Sequence, residues 1–299
     1  MTQAAANLVA GVDIGGTKIA TGLVAEDGTL VRSATVPTPR RPDAVLDAVA
    51  ALVADLGPVV AAGVGSAGVI DPASGRVLSA TDALPGWGGT DLRGGLTARL
   101  GVPVAVDNDV RAHAVGECWL GAAAGLRHVL VVAVGTGVGA SYVVDGVVVN
   151  GAHAAAGHLG HVPVPAAAAS TCPCGGTGHV EAVASGPALL AAYGDAPDLA
   201  AVAQRAADGD GRAREVLARG AAALGQAIGG VMNMLDPDLV LVTGGVSQCG
   251  PEWWEPLRAG VAAEVLPPLR DTVVRAGALG SAAAVLGAAR LGWAVARAA

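Results

Sequence analysis

One pattern occurs twice in this chain and restricts its architecture more than any other feature. Residues 8–32, LVAGVDIGGTKIATGLVAEDGTLVR, read as strand, glycine turn, strand, acidic turn, strand. Residues 128–149, HVLVVAVGTGVGASYVVDGVVV, read the same way. Alternating apolar residues around tight glycine turns are the pattern of β-hairpins. A unit that recurs only once implies a duplicated lobe and not a solenoid. A chain of 299 residues is long enough for two such lobes.

The segments around the repeats supply helices and further strands. Residues 43–57 have helical spacing with a glycine stop, and 59–71 read as a strand ending in glycines. Residues 91–101 read as a helix, 102–109 as a strand ending in polar residues, and 110–123 as a helix. Residues 213–236 form a long amphipathic helix pattern, 237–247 a buried strand ending in a glycine pair, and 277–298 a closing helix. Phe is absent and aromatics make up 2%, so the core must be built from Ala, Val and Leu. The heavy Ala and Gly usage reads as compositional drift.

Several function classes are disfavoured. A net charge of −7 argues against a nucleic-acid face, which is normally basic. No apolar run reads as a membrane span. The N-terminus lacks a basic region and a long apolar core, so no signal peptide is expected. Four cysteines without a disulfide framework fit a reducing cytoplasm.

Three strands end in glycine turns: Gly15-Gly16-Thr17-Lys18, Gly135-Thr136-Gly137 and Gly244-Gly245. A turn without Cβ atoms lets backbone N–H groups approach phosphate oxygens, although hairpins also need glycine for their own sake. No Walker A loop occurs. The string Gly63, Gly65, Gly68 has dinucleotide-fold spacing but is followed by Val-Ile-Asp-Pro, which does not open a helix. Asp13 ends the first strand beside its turn and suits Mg²⁺, directly or through water. Asn108-Asp109 ends another strand. With an ordinary pKa of about 3.9, such an aspartate is an ionised base at pH 7. The plainer reading of Asn-Asp is a helix cap or turn.

His153, His158, His161, His179, Cys172 and Cys174 fall within 27 residues, which points to a metal site. His113 and His128 stand apart and receive no role. Cys118 and Cys249 read as free thiols, and Trp253-Trp254 as packing or a subunit contact.

Together GVDIGGTKIATGLV, GVGSAGVID, DNDVRAHAVGE, VAVGTGVGASYVVDG, GHLGH, CPCGGTGHVEAVASG and NMLDPDLVLVTGGVS resemble the ROK family of bacterial sugar kinases and repressors. The resemblance runs from about residue 8 to about 290. It implies an α/β chain with a two-lobed actin-like ATPase (ribonuclease H-like) fold and duplicated mixed sheets, with sugar and ATP in the cleft. Residues 1–110 would form the small lobe, completed by a C-terminal helix at 285–299. Residues 111–284 would form the large lobe with a zinc loop and a dimer surface. A homodimer or higher oligomer is expected. Repressor members carry an added N-terminal helix-turn-helix, for which the seven residues before the first strand leave no room.

Residue by residue, the resemblance implies that Asp109 is the base taking the proton of the sugar 6-OH. Gly68, Asn108, His158, His161 and Glu181 would bind sugar. Gly15, Gly16, Thr17, Lys18, Gly135, Thr136, Gly137, Gly244 and Gly245 would hold ATP, with Asp13 on Mg²⁺. Two positions depart from the family pattern. Its structural zinc site uses one His and three Cys; here His161, Cys172 and Cys174 are joined by His179, a Cys₂His₂ set that is still complete. His158 stands where the family has a glutamate that accepts from hydroxyls at C2 and C3. Imidazole offers a donor as well as an acceptor, so the swap can redirect specificity. Three readings follow: a glucose kinase, a kinase for a C2- or C3-modified sugar such as an amino sugar (kanosamine, for example) or a cyclitol, and a non-catalytic sugar sensor.

Overall fold

The structure, a computed structural model, describes residues 7–80 and 84–299. The first six residues, part of the stretch read for a signal peptide, lie outside the described residues. The early elements are β1 (Val9–Ile14), β2 (Lys18–Val24), β3 (Leu30–Pro37), α1 (Pro42–Leu56), β4 (Ala61–Ser66), β5 (Val69–Asp71) and β6 (Arg76–Ser79). Then come α2 (Leu92–Leu100), β7 (Val104–Asn108), α3 (Asp109–Leu120), β8 (His128–Val134), β9 (Val138–Val144) and β10 (Val147–Val148). The later elements are α4 (Glu181–Ala184), α5 (Gly186–Tyr193), α6 (Leu199–Ala207), α7 (Gly211–Leu235), β11 (Leu239–Thr243), α8 (Pro251–Glu264), β12 (Val273–Ala276) and α9 (Ala282–Ala296).

These elements form two units. The first holds the chain through Gly125 with Gly146–Ala156 and Ala278–Ala299; the second holds Leu126–Asp145 and Gly157–Gly277. Residues 111–125 and 146–156, expected in the larger lobe, therefore cluster with the first unit. The reason is packing: α3 lies along α9.

The sheet of the first unit has the order β3-β2-β1-β4-β7. The β1–β2 and β2–β3 pairs are antiparallel hairpins, while β1–β4 and β4–β7 are parallel. Val9, Ala10, Val12 and Ile14 of β1 are all fully buried, as in a strand covered on both faces. One cover is α1, through Val45, Val49 and Leu52. The other is α9, which packs Leu286, Ala289 and Trp293 on Val9, Val24 and Ala61 and brings its backbone against the sheet at two glycines. A Cβ on Gly11 would overlap the carbonyl oxygen of Val285, and one on Gly63 that of Ala288. The same holds between helices, where Cβ atoms on Gly116 and Gly287 would overlap the carbonyls of Ala283 and Ala112. Part of the glycine content is thus structural and not drift. A chain without Phe fills this space by bringing backbones together.

In the second unit β9-β8-β11-β12 repeats the arrangement of β2-β1-β4-β7: one antiparallel hairpin, then two parallel pairs. The long helix α7 buries Ala213, Leu217, Leu224, Ile228 and Met232 on one stripe and is capped by the Asp210 side chain, which accepts from the N–H groups of Arg212 and Ala213. Trp253 is fully buried in this core, with Trp254 edge-on at 5.2 Å, so the pair is at least a packing element.

The stretch 59–71 departs from the single strand expected. It breaks into β4 and β5 at Gly68, whose φ is +102° and whose Cβ would lie 2.7 Å from the Ser79 carbonyl oxygen.

Candidate functional site

In the first unit the parallel strands end together. Asp13 of β1 lies opposite Gly65 of β4, and Ser66 lies opposite Asn108 of β7. Open α/β sheets place ligands at this carboxyl edge. The Asn108 amide works in two directions. Its Oδ1 caps α3, accepting from the N–H groups of Val110 (3.0 Å) and Arg111 (3.3 Å). Its Nδ2 donates to the Gly68 carbonyl (3.0 Å) and to Asp109 Oδ1 (2.8 Å). The helix-cap reading of Asn-Asp therefore holds, and the same amide also fixes the Asp109 carboxylate and the Gly68 loop.

Asp13 is the second carboxylate at this edge. Burial, and then repulsion from Asp109, push its pKa up to about 7, against an opposing pull from Lys18. Two carboxylates that disfavour each other's charge form a fitting place for a divalent cation, so the residues present suit Mg²⁺. The adjacent turn is closed by the Gly15 N–H donating to the Lys18 carbonyl (3.0 Å). Gly16 and Thr17 donate to no group among the described residues.

The second unit repeats this arrangement. The Gly135 N–H closes its turn on the Gly137 carbonyl (2.9 Å), and the N–H groups of Thr136 and Gly137 donate to no group among the described residues. The neighbouring parallel strand β11 brings Gly244 alongside, with φ of +94° and no room for a Cβ against the Val134 carbonyl. Glu181, 8% exposed, accepts from the Val138 N–H (2.8 Å) and from the Cys172 thiol (3.6 Å). This carboxylate joins the glycine turn to the cysteine loop, a link not visible in the sequence.

His161, Cys172, Cys174 and His179 present four ligand atoms within 4.8 Å of one another. Cys172 Sγ is 3.7 Å from His161 Nδ1, and Cys174 Sγ is 3.2 Å from His179 Nδ1. A tetrahedral zinc with Zn–S of ~2.3 Å and Zn–N of ~2.1 Å sets such atoms about 3.6 Å apart, so the donor set fits Zn²⁺. Burial pushes the Cys172 thiol up to about 11, and a metal supplies the charge that would hold it as thiolate. Burial also lowers the His161 pKa, keeping the imidazole neutral and fit to ligate. A Cβ on Gly176 would overlap the His179 ring, so glycine there makes room for imidazole. His153 is exposed and outside this cluster. His158 is half-buried with its ring stacked on His161 (6.1 Å between centroids, 17° between planes).

One functional residue was not foreseen. Arg111, 2% exposed, pairs with Asp107 (3.1 Å) and donates to the carbonyls of Ala154 (2.7 Å), Ala156 (3.2 Å) and Asn150 (3.3 Å). It thereby holds the segment that leads into Gly157-His158. The available signal was the spacing of Asp107 and Arg111, opposite charges four positions apart across the junction of β7 and α3.

The duplicated sheet with glycine turns at the strand ends defines an actin-like ATPase-type fold, shared with solved sugar kinases. Within that class the chain belongs to the ROK family, whose sequence profile matches residues 9–294. It is 32% identical to a glucokinase of Thermotoga maritima, across 94% of this chain and 96% of that protein. It is also 32% identical to an N-acetyl-D-glucosamine kinase of Shigella flexneri, across 94% and 98%. A ROK glucokinase from Streptomyces griseus, solved with glucose and AMPPNP, superposes with a TM-score of 0.84 at 30% identity, covering 96% of this chain and all of that one.

Proposed function

We propose that this protein is an ATP-dependent sugar kinase transferring the γ-phosphoryl group to the 6-OH of glucose or a close relative, with Asp109 as general base. The observation that carries this reading is the Asn108–Asp109 pair, which holds a carboxylate at the strand edge one parallel sheet position from the Gly68 loop and beside Asp13. The named activities of the glucokinase and N-acetylglucosamine kinase relatives support it.

Phosphoryl transfer needs positioning and charge stabilisation more than covalent chemistry from the protein. Asp109 accepts the hydroxyl proton as the sugar oxygen bonds to the γ-phosphorus and the bond to the ADP oxygen breaks. Asn108 keeps the accepting oxygen oriented. Backbone N–H groups of Gly16, Thr17, Thr136 and Gly137 receive phosphate oxygens, with Lys18 beside them and Gly244-Gly245 against the adenosine. Asp13 would hold Mg²⁺, which neutralises phosphate charge when bound. His161, Cys172, Cys174 and His179 would hold a structural Zn²⁺ that ties the loop carrying Glu181. Gly68, His158, His161 and Glu181 complete the sugar contacts.

A second reading keeps the reaction and changes the acceptor. His158, stacked on His161, offers an N–H where the family's glutamate offers only acceptors, which favours a sugar modified at C2 or C3. A sugar sensor without catalysis is disfavoured by the intact Asp109 arrangement. ADP release with Mg-ATP over glucose, mannose, N-acetylglucosamine, N-acetylmannosamine, 3-amino-3-deoxyglucose and a cyclitol separates these readings. Glucose as the best acceptor supports the first and an amino sugar the second. Sugar binding without ADP release from any of them would refute both.

A further inference from the structure

The first unit contains a cavity of about 850 Å³ that none of the candidate sugar or nucleotide residues lines. It runs along β7, the edge strand of its sheet, with residues 146–150 and the end of α9 as walls. Its volume is in the range of small-molecule sites. The floor is apolar, formed by Val104, Val106, Val115 and Leu291.

Its charges are unbalanced. Asp107 is neutralised by Arg111 and Arg297 by Glu26 (2.7 Å). Arg93 donates to the neutral carbonyls of Pro72 and Ala73, and its charge also helps to hold the Asp71 pKa down. Arg290 lies over the Trp119 ring at 5.1 Å and has no acceptor among the described residues. The Arg290 charge therefore lines this cavity without counter-charge among the described residues, and that of Arg93 is partly offset by Asp71, in a chain whose net charge is −7. Asn150, also in the wall, buries an Oδ1 that receives no hydrogen bond.

We propose that this cavity binds a small amphipathic carboxylate, with its apolar body on the valine floor and its carboxylate on Arg93 and Arg290. Guanidinium groups match carboxylates in geometry as well as charge.

Fluorescence titration of the full chain with 8-anilinonaphthalene-1-sulfonate, an apolar anion, tests this, with ADP present to keep the dye from the nucleotide turns. Saturable binding is expected, displaced by decanoate and not by decanol. Arg290→Gln should weaken it about ten-fold, the scale of one charge-assisted hydrogen bond. Ala294→Trp, which fills the cavity from an exposed position, should abolish it. Dye binding unchanged in both variants, or displaced equally by decanol, overturns the proposal. If Ala294→Trp does not fold, Arg93→Gln with Arg290→Gln decides, since loss of both charges must remove decanoate competition.

Discussion

Replacing Arg111 with methionine keeps length and apolar volume while removing one charge and every hydrogen bond from it. The consequence falls first on Asp107, whose side chain is 8% exposed and which pairs with Arg111 (3.1 Å). Removing one member of a buried pair costs about 3–5 kcal/mol, because the other charge stays buried. Three carbonyls between Asn150 and Ala156 lose a donor in the same step. At ~2–4 °C per kcal/mol for a body of this size, the first unit should melt about 10 °C lower. The loss should also depend on pH. Burial already pushes the Asp107 pKa up, while the Asn108 N–H and Arg111 hold it down. Without Arg111 it rises further, and a raised native carboxylate pKa makes stability fall as pH increases through it. Arg111→Met should therefore be less handicapped at pH 5 than at pH 8. Urea unfolding of Arg111→Met, Asp107→Asn and the double variant at both pH values checks this, and the double variant should recover much of the loss. A loss below about 1 kcal/mol for Arg111→Met, or no recovery on adding Asp107→Asn, would refute the account.

Other outcomes follow from the same geometry. Asp109→Asn should lower kcat by about 10²–10⁴, the usual worth of a general base, with sugar affinity by calorimetry within a few-fold of the parent. Metal analysis should find zinc at one ion per chain; a chelator should lower the melting temperature, and His179→Ala should abolish that sensitivity while His179→Cys keeps it. His158→Glu should shift relative kcat/KM toward glucose and away from 2- or 3-amino sugars, read in the ADP-release assay. In metal-free protein the raised Asp13 pKa means stability is fully present below the ordinary carboxylate range and is lost as pH rises toward about 7; Asp13→Asn should flatten that slope in urea titrations from pH 4 to 8.

Local periodicity carried much of the fold. The hairpins of β1–β2–β3 and β8–β9, the capped helix α7 and the strand β11 follow from residues a few positions apart, and the duplication of the sheets was readable as a repeated string. The glycine turns and the cysteine–histidine spacing exposed most of the candidate site for the same reason. What escaped depends on partners far along the chain. Gly11, Gly63, Gly116 and Gly287 looked like drift because their need is set by carbonyls on elements over 150 residues away or on a crossing helix. Arg111 looked like an ordinary helix residue because its acceptors lie 39–45 positions onward. The grouping of α3 with the first unit was not readable either, because α3 packs on the closing helix, far along the chain. The double use of Asn108 was half visible: its cap is local, while its bond to Gly68 crosses 40 residues.

The glycine contacts between α3, α9 and the first sheet have a mechanical consequence. Side chains can change rotamer to absorb a small displacement, but apposed backbones have nothing to rearrange. Asp109 therefore rides on a stiff platform, and the closing helix serves as the beam beneath it. Even one methyl group added at Gly116 or Gly287 would jack these elements apart and carry the carboxylate with them, leaving every residue at the strand edge chemically unaltered.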